Sequence, residues 1–139
     1  IPRTVLFFLT GRKLQLHGGG RSVRSFIHIR DVADGTWRVA REAKPGEIFH
    51  FSTSRNISIR DVVEMIAQQL GASFEDHVEI VADRPGKDAA YLLDNAKAKK
   101  VLGWEDKVTL EQGIEETIGW VKDNLAVLKE LPFNYIHKP

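Results

Sequence analysis

Gly18-Gly-Gly-Arg-Ser-Val-Arg-Ser-Phe-Ile-His-Ile-Arg-Asp31 is the stretch from which the fold is read. Three consecutive glycines predict a tight turn, because glycine enters left-handed backbone without a Cβ penalty and lets other groups come close. The turn carries Arg21 and Arg24, whose planar forks of donors suit phosphate. Ser25 to Ile29 then alternates, with Ile27 and Ile29 on one face and Phe26 and His28 on the other, which predicts a strand. Asp31 is suited to cap the helix that follows. A dinucleotide-binding turn needs a third glycine and a helix directly after it. Here Val23 holds the third position and a strand follows, so the turn is not read as a nicotinamide site. Two readings stay open: half of an anion clamp whose other arm is Arg84, or a solvated hairpin with surface arginines.

Working outward, Pro2 fits the first turn of a helix with Val5, Leu6, Phe8 and Leu9 as its apolar face and Gly11 as its stop. Leu14 and Leu16 alternate with Lys13, Gln15 and His17 as a short strand. Asp31 to about Ala43 reads as a helix with Val32, Trp37, Val39 and Ala40 as apolar positions. Ile48 to Phe51 reads as a buried third strand, followed by a polar loop over Ser52 to Asn56. Ser58 to Asp61 resembles a capping box, and the helix after it carries Val62, Val63, Ile66 and Leu70 and stops at Gly71. Val78 to Val81 is a fourth strand, Ala82 to Asp88 a loop, and Tyr91 to Leu93 extended. Asp94 can cap a short helix through Leu102 that Gly103 stops. Thr109-Leu-Glu-Gln112 is a second capping box, opening a helix striped with Leu110, Ile114, Ile118, Val121 and Leu125. The expectation is one α/β domain over 1–129 with an irregular tail over 130–139.

With 139 residues, the chain is long enough for one real core. Hydrophobic residues at 42% and charged residues at 28% suit a globular domain, and a net charge of +1 is too balanced to argue for nucleic acid as partner. No apolar run approaches the ~18 residues of a membrane span. Cysteine is absent, which rules out disulfides and thiolate metal sites and is compatible with a cytoplasmic setting. The start, Ile-Pro-Arg-Thr, lacks an initiator methionine, and the expectation is a piece of a longer protein.

The usual catalytic patterns are missing. His17, His28, His50, His77 and His137 form no His-x-x-x-His pair, so no metal is expected. Tyr91 has Asn95 four residues on and Tyr135 has Pro139, so no Tyr-x-x-x-Lys pair exists. Gly-x-Ser-x-Gly is absent as well. What remains is arginine in loops at strand ends, Arg21, Arg24, Arg55 and Arg84, where open α/β folds place ligands.

Several segments in order resemble the carboxy-terminal half of extended short-chain dehydrogenase/reductases, the NAD-dependent nucleotide-sugar epimerases and dehydratases. They are Ile1-Pro2, Leu14 to Gly20, Val23 to Ala33, Gly46 to Phe51, Ser58 to Val63, Arg84-Pro-Gly-Lys-Asp88, Lys97 to Trp104 and Thr109 to Trp120. The Ala82-Asp-Arg-Pro-Gly-Lys-Asp88 segment is most similar to the sugar-nucleotide 4,6-dehydratases. The resemblance implies a small α/β substrate-binding lobe, without the NAD-binding Rossmann sheet that precedes it in such enzymes. It implies that Arg24 holds a diphosphate and that Arg84 closes over the nucleotide phosphate and ribose. Gln15, Leu16 and His17 would line the base pocket, Ile1 and Pro2 would sit beside the sugar, and Lys87 and Tyr91 would add walls. NAD and the catalytic residues would belong to the other half of the parent protein, so this chain alone is expected to be inactive. The implied partners are a nucleoside-diphosphate sugar, that Rossmann half, and a second copy of the parent in a homodimer, with no nucleic acid and no membrane. Ile59 stands where the closest relatives carry a base-contacting Asn, and Ser25 where many carry Asp. The base, whether in a dTDP, UDP, GDP or CDP sugar, stays open.

Overall fold

The computed structural model describes residues 1–86 and 88–133. Helix α1 (Pro2–Leu9) opens with proline in its first turn and buries Val5, Phe7 and Phe8. Strand β1 (Leu14–His17) leads through a 3-10 turn over Gly18–Gly20 into β2 (Val23–Ser25). Helix α2 (Ile29–Glu42), strand β3 (Asn56–Ser58), helices α3 (Ile59–Leu70) and α4 (Phe74–His77), and strands β4 (Val78–Val81) and β5 (Ala90–Tyr91) follow. Helices α5 (Ala96–Leu102), α6 (Leu110–Asp123) and α7 (Leu125–Leu128) complete the order.

The strands form two small sheets. β1 and β4 pair in parallel, with Gln15 opposite Glu79 and Leu16 opposite Ile80. In the other sheet β2 lies between β3, antiparallel to it, and β5, parallel to it. The mixed α/β class read from the sequence is what the chain adopts.

Helix α3 lies at the centre because two adjacent residues feed two clusters. Val62 and Ile66 pack with Val5 of α1 and with Ile114, Ile118 and Val121 of α6. Val63 and Ala67 pack with Phe8, Leu16 and Val78, beneath the β1–β4 pair. A third cluster gathers Ala98, Leu102 and the fully buried Trp104 against Ile27, Val39, Phe49 and Phe51. Helix ends follow the local chemistry expected of them. Ser58 Oγ accepts the Asp61 N–H at 3.0 Å, and Thr109 and Gln112 make a reciprocal capping box. Gly103 closes α5 in left-handed backbone.

Five expectations are corrected. The strand expected over Ser25–Ile29 ends at Ser25, and α2 starts at Ile29 rather than after Asp31. His28 is the cap: its Nδ1 accepts the Arg30 N–H at 3.2 Å. The strand expected at Ile48–Phe51 does not form, and Ile48 is 74% exposed. Side chains hold that segment instead. Lys97 Nζ donates to the Ile48 carbonyl at 3.0 Å and lies 4.3 Å from the Phe49 ring centre, while Phe51 packs on Trp104. Asn56, assigned to a loop, begins β3, and Trp37, assigned to the apolar face of α2, is 62% exposed.

Freed from capping, Asp31 is buried and ties α2 to the other end of the chain. Its Oδ2 accepts the Lys107 and Val108 N–H groups at 3.1 and 3.0 Å, and its carbonyl accepts the Trp104 indole N–H at 2.8 Å. One turn on, Gly35 faces the Phe51 ring so closely that an added Cβ would lie 2.5 Å from it.

Asp31→Ala strands two N–H groups and should cost about 2–4 kcal/mol, while Asp31→Asn keeps one acceptor oxygen and loses less. Gly35→Ala should also destabilise, although alanine is intrinsically the better helix former by roughly 1 kcal/mol. Urea denaturation checks the set; equal midpoints for wild type and Asp31→Ala would contradict the role given to this carboxylate.

Candidate functional site

One cavity of about 610 Å³ lies where the end of α1, the Arg12–Lys13 segment, β1, β4 and the loop after β4 meet. That volume is in the range of small-molecule sites. Pairing in register sets its floor. Gln15 and Glu79 are direct partners across the parallel strands, so their side chains stand side by side on one face. Leu16, one residue on, turns the other way into the core and is 5% exposed. At the strand's end His17 Nδ1 donates to the Ala82 carbonyl at 3.1 Å, fastening β1 to the loop that carries Arg84. With Nδ1 protonated, Nε2 of the neutral ring is an acceptor.

Charge is unevenly distributed around this cavity. Arg3, Arg12, Lys13 and Arg84 line it, against the single carboxylate of Glu79. Elsewhere arginines sit on carboxylates: Arg38 on Asp34 at 3.0 Å, Arg60 on Glu64 at 2.7 Å, Arg55 on Glu111 at 2.5 Å, and Arg30 on Glu116. Two carboxyls held below their ordinary range, Glu47 and Glu111, lie away from the cavity. Glu47 is lowered chiefly by the Lys44 N–H it accepts, and Glu111 chiefly by its hydrogen bond from Arg55.

The glycine turn faces its own chain. Each of its glycines has positive φ, between 59° and 70°. A Cβ on Gly18 would lie 2.3 Å from Asp83 Oδ2, and one on Gly20 would lie 2.8 Å from the Arg60 nitrogen. Gly18 and Gly20 therefore admit Asp83 and the start of α3, while Gly19 faces open space. The turn also runs into β2 and not into a helix, so it does not fit a dinucleotide diphosphate. Arg21 is exposed and has no hydrogen bond or ion pair among the described residues.

The two expected clamp arms are joined by backbone. Arg24 Nη1 donates to the Val23 carbonyl at 2.7 Å and Nη2 to the Asp88 carbonyl at 3.1 Å. Ser22 Oγ also donates to the Asp88 carbonyl, and the Val23 N–H to the Ala89 carbonyl. The β2–β5 pair thus anchors the segment that follows Arg84. Arg84 lines the cavity with Gln15 and His17, whereas Arg24 is not among its lining residues. Ile1 and Pro2 line a separate cavity of about 240 Å³ with Phe26, His28 and Gly113. Tyr91 is 60% exposed on β5, and Lys87 lies outside the described residues, as do 134–139 of the expected tail. Arg3, Arg12, Lys13, Glu79 and Phe133 also line the cavity and were missed from the sequence. The Arg12-Lys13 pair after Gly11 was the visible signal, but nothing local places that loop beside β4.

Among the described residues no group of three His, Asp or Glu side chains could hold a metal ion. No helix there is long and apolar enough to cross a membrane.

This mixed α/β fold is shared with solved members of the extended short-chain dehydrogenase/reductase class. Residues 1–117 match the family model described as GDP-mannose 4,6 dehydratase, and the chain belongs to that family. It is 35% identical over 126 residues to a dTDP-glucose 4,6-dehydratase of Streptomyces antibioticus, covering 91% of this chain and 37% of that protein. Among solved structures, dTDP-glucose 4,6-dehydratase of Streptomyces venezuelae, solved with NAD bound, superposes with a TM-score of 0.86 at 32% identity. The match covers 91% of this chain and 39% of that one. UDP-glucose 4-epimerase of Thermotoga maritima, solved with UDP-glucose, superposes at 0.81 and 26% identity, covering 88% and 38%. The chain therefore spans less than two fifths of these proteins.

Gly18→Ala should be destabilising by about 1–2 kcal/mol, from left-handed backbone alone, with a further loss from displacing Asp83. Thermal unfolding measures it. Hydrogen exchange over 82–86 should rise with it; unchanged protection there would show that Gly18 does not hold this loop.

Proposed function

We propose that this chain is the nucleotide-sugar-binding portion of an NAD-dependent 4,6-dehydratase, gripping the nucleoside diphosphate of the substrate. The observation that carries this reading is the cavity that gathers Gln15, His17 and Arg84 with Arg3, Arg12 and Lys13. These are three of the residues that the family resemblance assigns to base and phosphate.

The division of labour follows from the chemistry of each side chain. Arg84 offers a bidentate fork to phosphate oxygens from a loop fastened by His17. Arg24 reaches a diphosphate by exchanging the Val23 and Asp88 carbonyls for charged oxygens, which are the stronger acceptors. Gln15 and His17 Nε2 face the base, Leu16 supports that wall from the core, Ile1 and Pro2 border the sugar, and Tyr91 completes the rim. Because the glycine turn leads into β2 and not into a helix, this reading assigns the dinucleotide to the Rossmann half of the parent, together with hydride transfer. This lobe then acts by orientation, holding the sugar over chemistry supplied from elsewhere. A 4-epimerase of the same family is the second reading, favoured by the likeness to the Thermotoga epimerase. The setting is the cytoplasm and the parent a homodimer. The Rossmann half covers Ile29, Trp37 and Ile48, which are 71%, 62% and 74% exposed here.

Calorimetric titration of the parent with dTDP, UDP, GDP and CDP sugars tests the reading. One of them should bind, and Arg24→Ala and Arg84→Ala should each weaken it about tenfold or more. Binding of none, or full affinity in both variants, would sink it. The 139-residue chain alone should turn over none of these sugars and should self-associate, less so as Trp37→Lys; a clean monomer by light scattering would remove the covered-face argument.

A further inference from the structure

Two of the cavity's arginines are held differently from most arginines outside it, although Arg60 also lies over the Phe74 ring and Arg41 over the Trp37 ring. Arg30, Arg38, Arg55 and Arg60 direct their donors onto carboxylates. Arg3 and Arg12 are held by rings. The Arg3 guanidinium carbon lies 4.9 Å from the centre of the Phe7 ring, and that of Arg12 lies 3.7 Å from the Phe133 ring. Phe7 and Phe133 themselves meet at 5.8 Å with their planes tilted by 51°. The result is a run of contacts, Arg3–Phe7–Phe133–Arg12, along a wall of the cavity. A ring face engages the π surface of a guanidinium and leaves its in-plane N–H donors available. Neither arginine has a hydrogen bond or ion pair among the described residues.

The charge count sharpens the point. Arg3, Arg12, Lys13 and Arg84 face Glu79 alone, so four cations crowd one cavity against a single anion. A diphosphate esterified at both ends, as in a sugar nucleotide, brings a charge of about −2, which two bidentate arginines satisfy. Arg24 and Arg84 already account for those under the reading above. Arg3, Arg12 and Lys13 are in excess, and their mutual repulsion favours an anion of higher charge.

We infer that the stacked wall is a second phosphate-binding element and that the cavity binds nucleoside triphosphate in preference to the nucleoside diphosphate of its sugar substrate. Arg3 and Arg12 supply the donors. Phe7 and Phe133 are positioning residues that hold the two guanidinium groups at the cavity wall. A nucleoside triphosphate so held competes with the sugar nucleotide for one site, which gives the parent enzyme a brake set by the pool of free nucleotide. The competition rests on the nucleotide reading proposed above; the preference for the higher polyphosphate does not.

The probes are pyrophosphate, tripolyphosphate, UDP, UTP and uridine, titrated calorimetrically into the 139-residue chain. Tripolyphosphate should bind at least tenfold tighter than pyrophosphate, and UTP at least tenfold tighter than UDP. Arg12→Gln and Arg3→Gln should each cut both ratios to about threefold or less without changing the affinity for uridine. Phe133→Leu should do the same and Phe133→Tyr should restore the ratios, which a merely space-filling role for the ring would not produce. Arg3 and Arg12 are exposed, so their replacement leaves the core intact, and circular dichroism verifies it. If both ratios are near one in wild type, or survive in Arg3→Gln and Arg12→Gln, the inference is overturned while binding of UDP still upholds the nucleotide site. If tripolyphosphate shows the preference but nucleotides bind no better than their inorganic counterparts, the wall stands and the nucleotide reading falls.

Discussion

The Asp31 carboxylate is the constraint on which the rest of this lobe depends. It is the only buried carboxylate among the described residues, and it is buried with partners. Two backbone N–H groups from the turn before α6 end on one of its oxygens, and the Trp104 indole donates to its carbonyl. Those contacts join residues more than seventy positions apart. They fix where the α5–α6 connection runs, and so where α6 begins to bury Ile114, Ile118 and Val121 against α1 and α3. A carboxylate that satisfies N–H groups in this way lets an irregular segment cross the core without stranding its backbone. The consequence at the far end is functional. With α1 pinned between α3 and α6, its last turn and the Arg12–Lys13 segment are set beside β1 and β4, and the cavity has its cationic side.

How much of this was legible in the sequence depended on the range of the interactions involved. Elements defined within a few residues were read correctly: the Thr109–Gln112 box, the Ser58 cap, the stops at Gly71 and Gly103, and the stripe of α6 are all local chemistry. Failures came where a distant group decided the outcome. Asp31 looked like a cap because it precedes an apolar period, and the partners that claim it lie at Trp104, Lys107 and Val108. Ile48–Phe51 has strand composition, but composition does not supply a neighbouring strand. Lys97 and Trp104 hold the segment by side chains instead. Asn56 looked like the end of a loop, because the pairing of Asn56–Ser58 with Val23–Ser25 depends on how the glycine turn folds back.

The glycine turn shows the same limit at the site. Glycine signals that something comes close, and the sequence does not say what. At Gly18 it is the Asp83 carboxylate, and at Gly20 the backbone of Arg60. Placing a negative side chain in the turn argues against its being a phosphate cradle. Yet the same contact holds the start of the 82–86 loop, and through it Arg84, against the end of β1. The arginines named from the sequence were thus sound candidates, reached by a partly mistaken route. Arg84 lines the cavity because glycine lets its neighbour dock, and Arg24 is tied into the β2–β5 pair that anchors the loop's other end.

Which arginines remain free to bind follows from what holds each of them in place. A guanidinium on a carboxylate is already neutralised, and recruiting it to a ligand means breaking a charge-assisted bond. A guanidinium on two carbonyls, as in Arg24, is held more weakly and can exchange. One stacked on an aromatic face is oriented without being neutralised, so it has the least to lose and the most charge to offer. Ranked this way, the surface arginines of α2 and α3 belong to the scaffold, and Arg24 and Arg84 belong to a diphosphate. Arg3 and Arg12 belong to whatever further negative charge enters the cavity. The sequence lists all of these as arginines with equal claims; only their partners separate them, and the partners of Arg3 and Arg12 are rings contributed by α1 and by the last described residue of the chain.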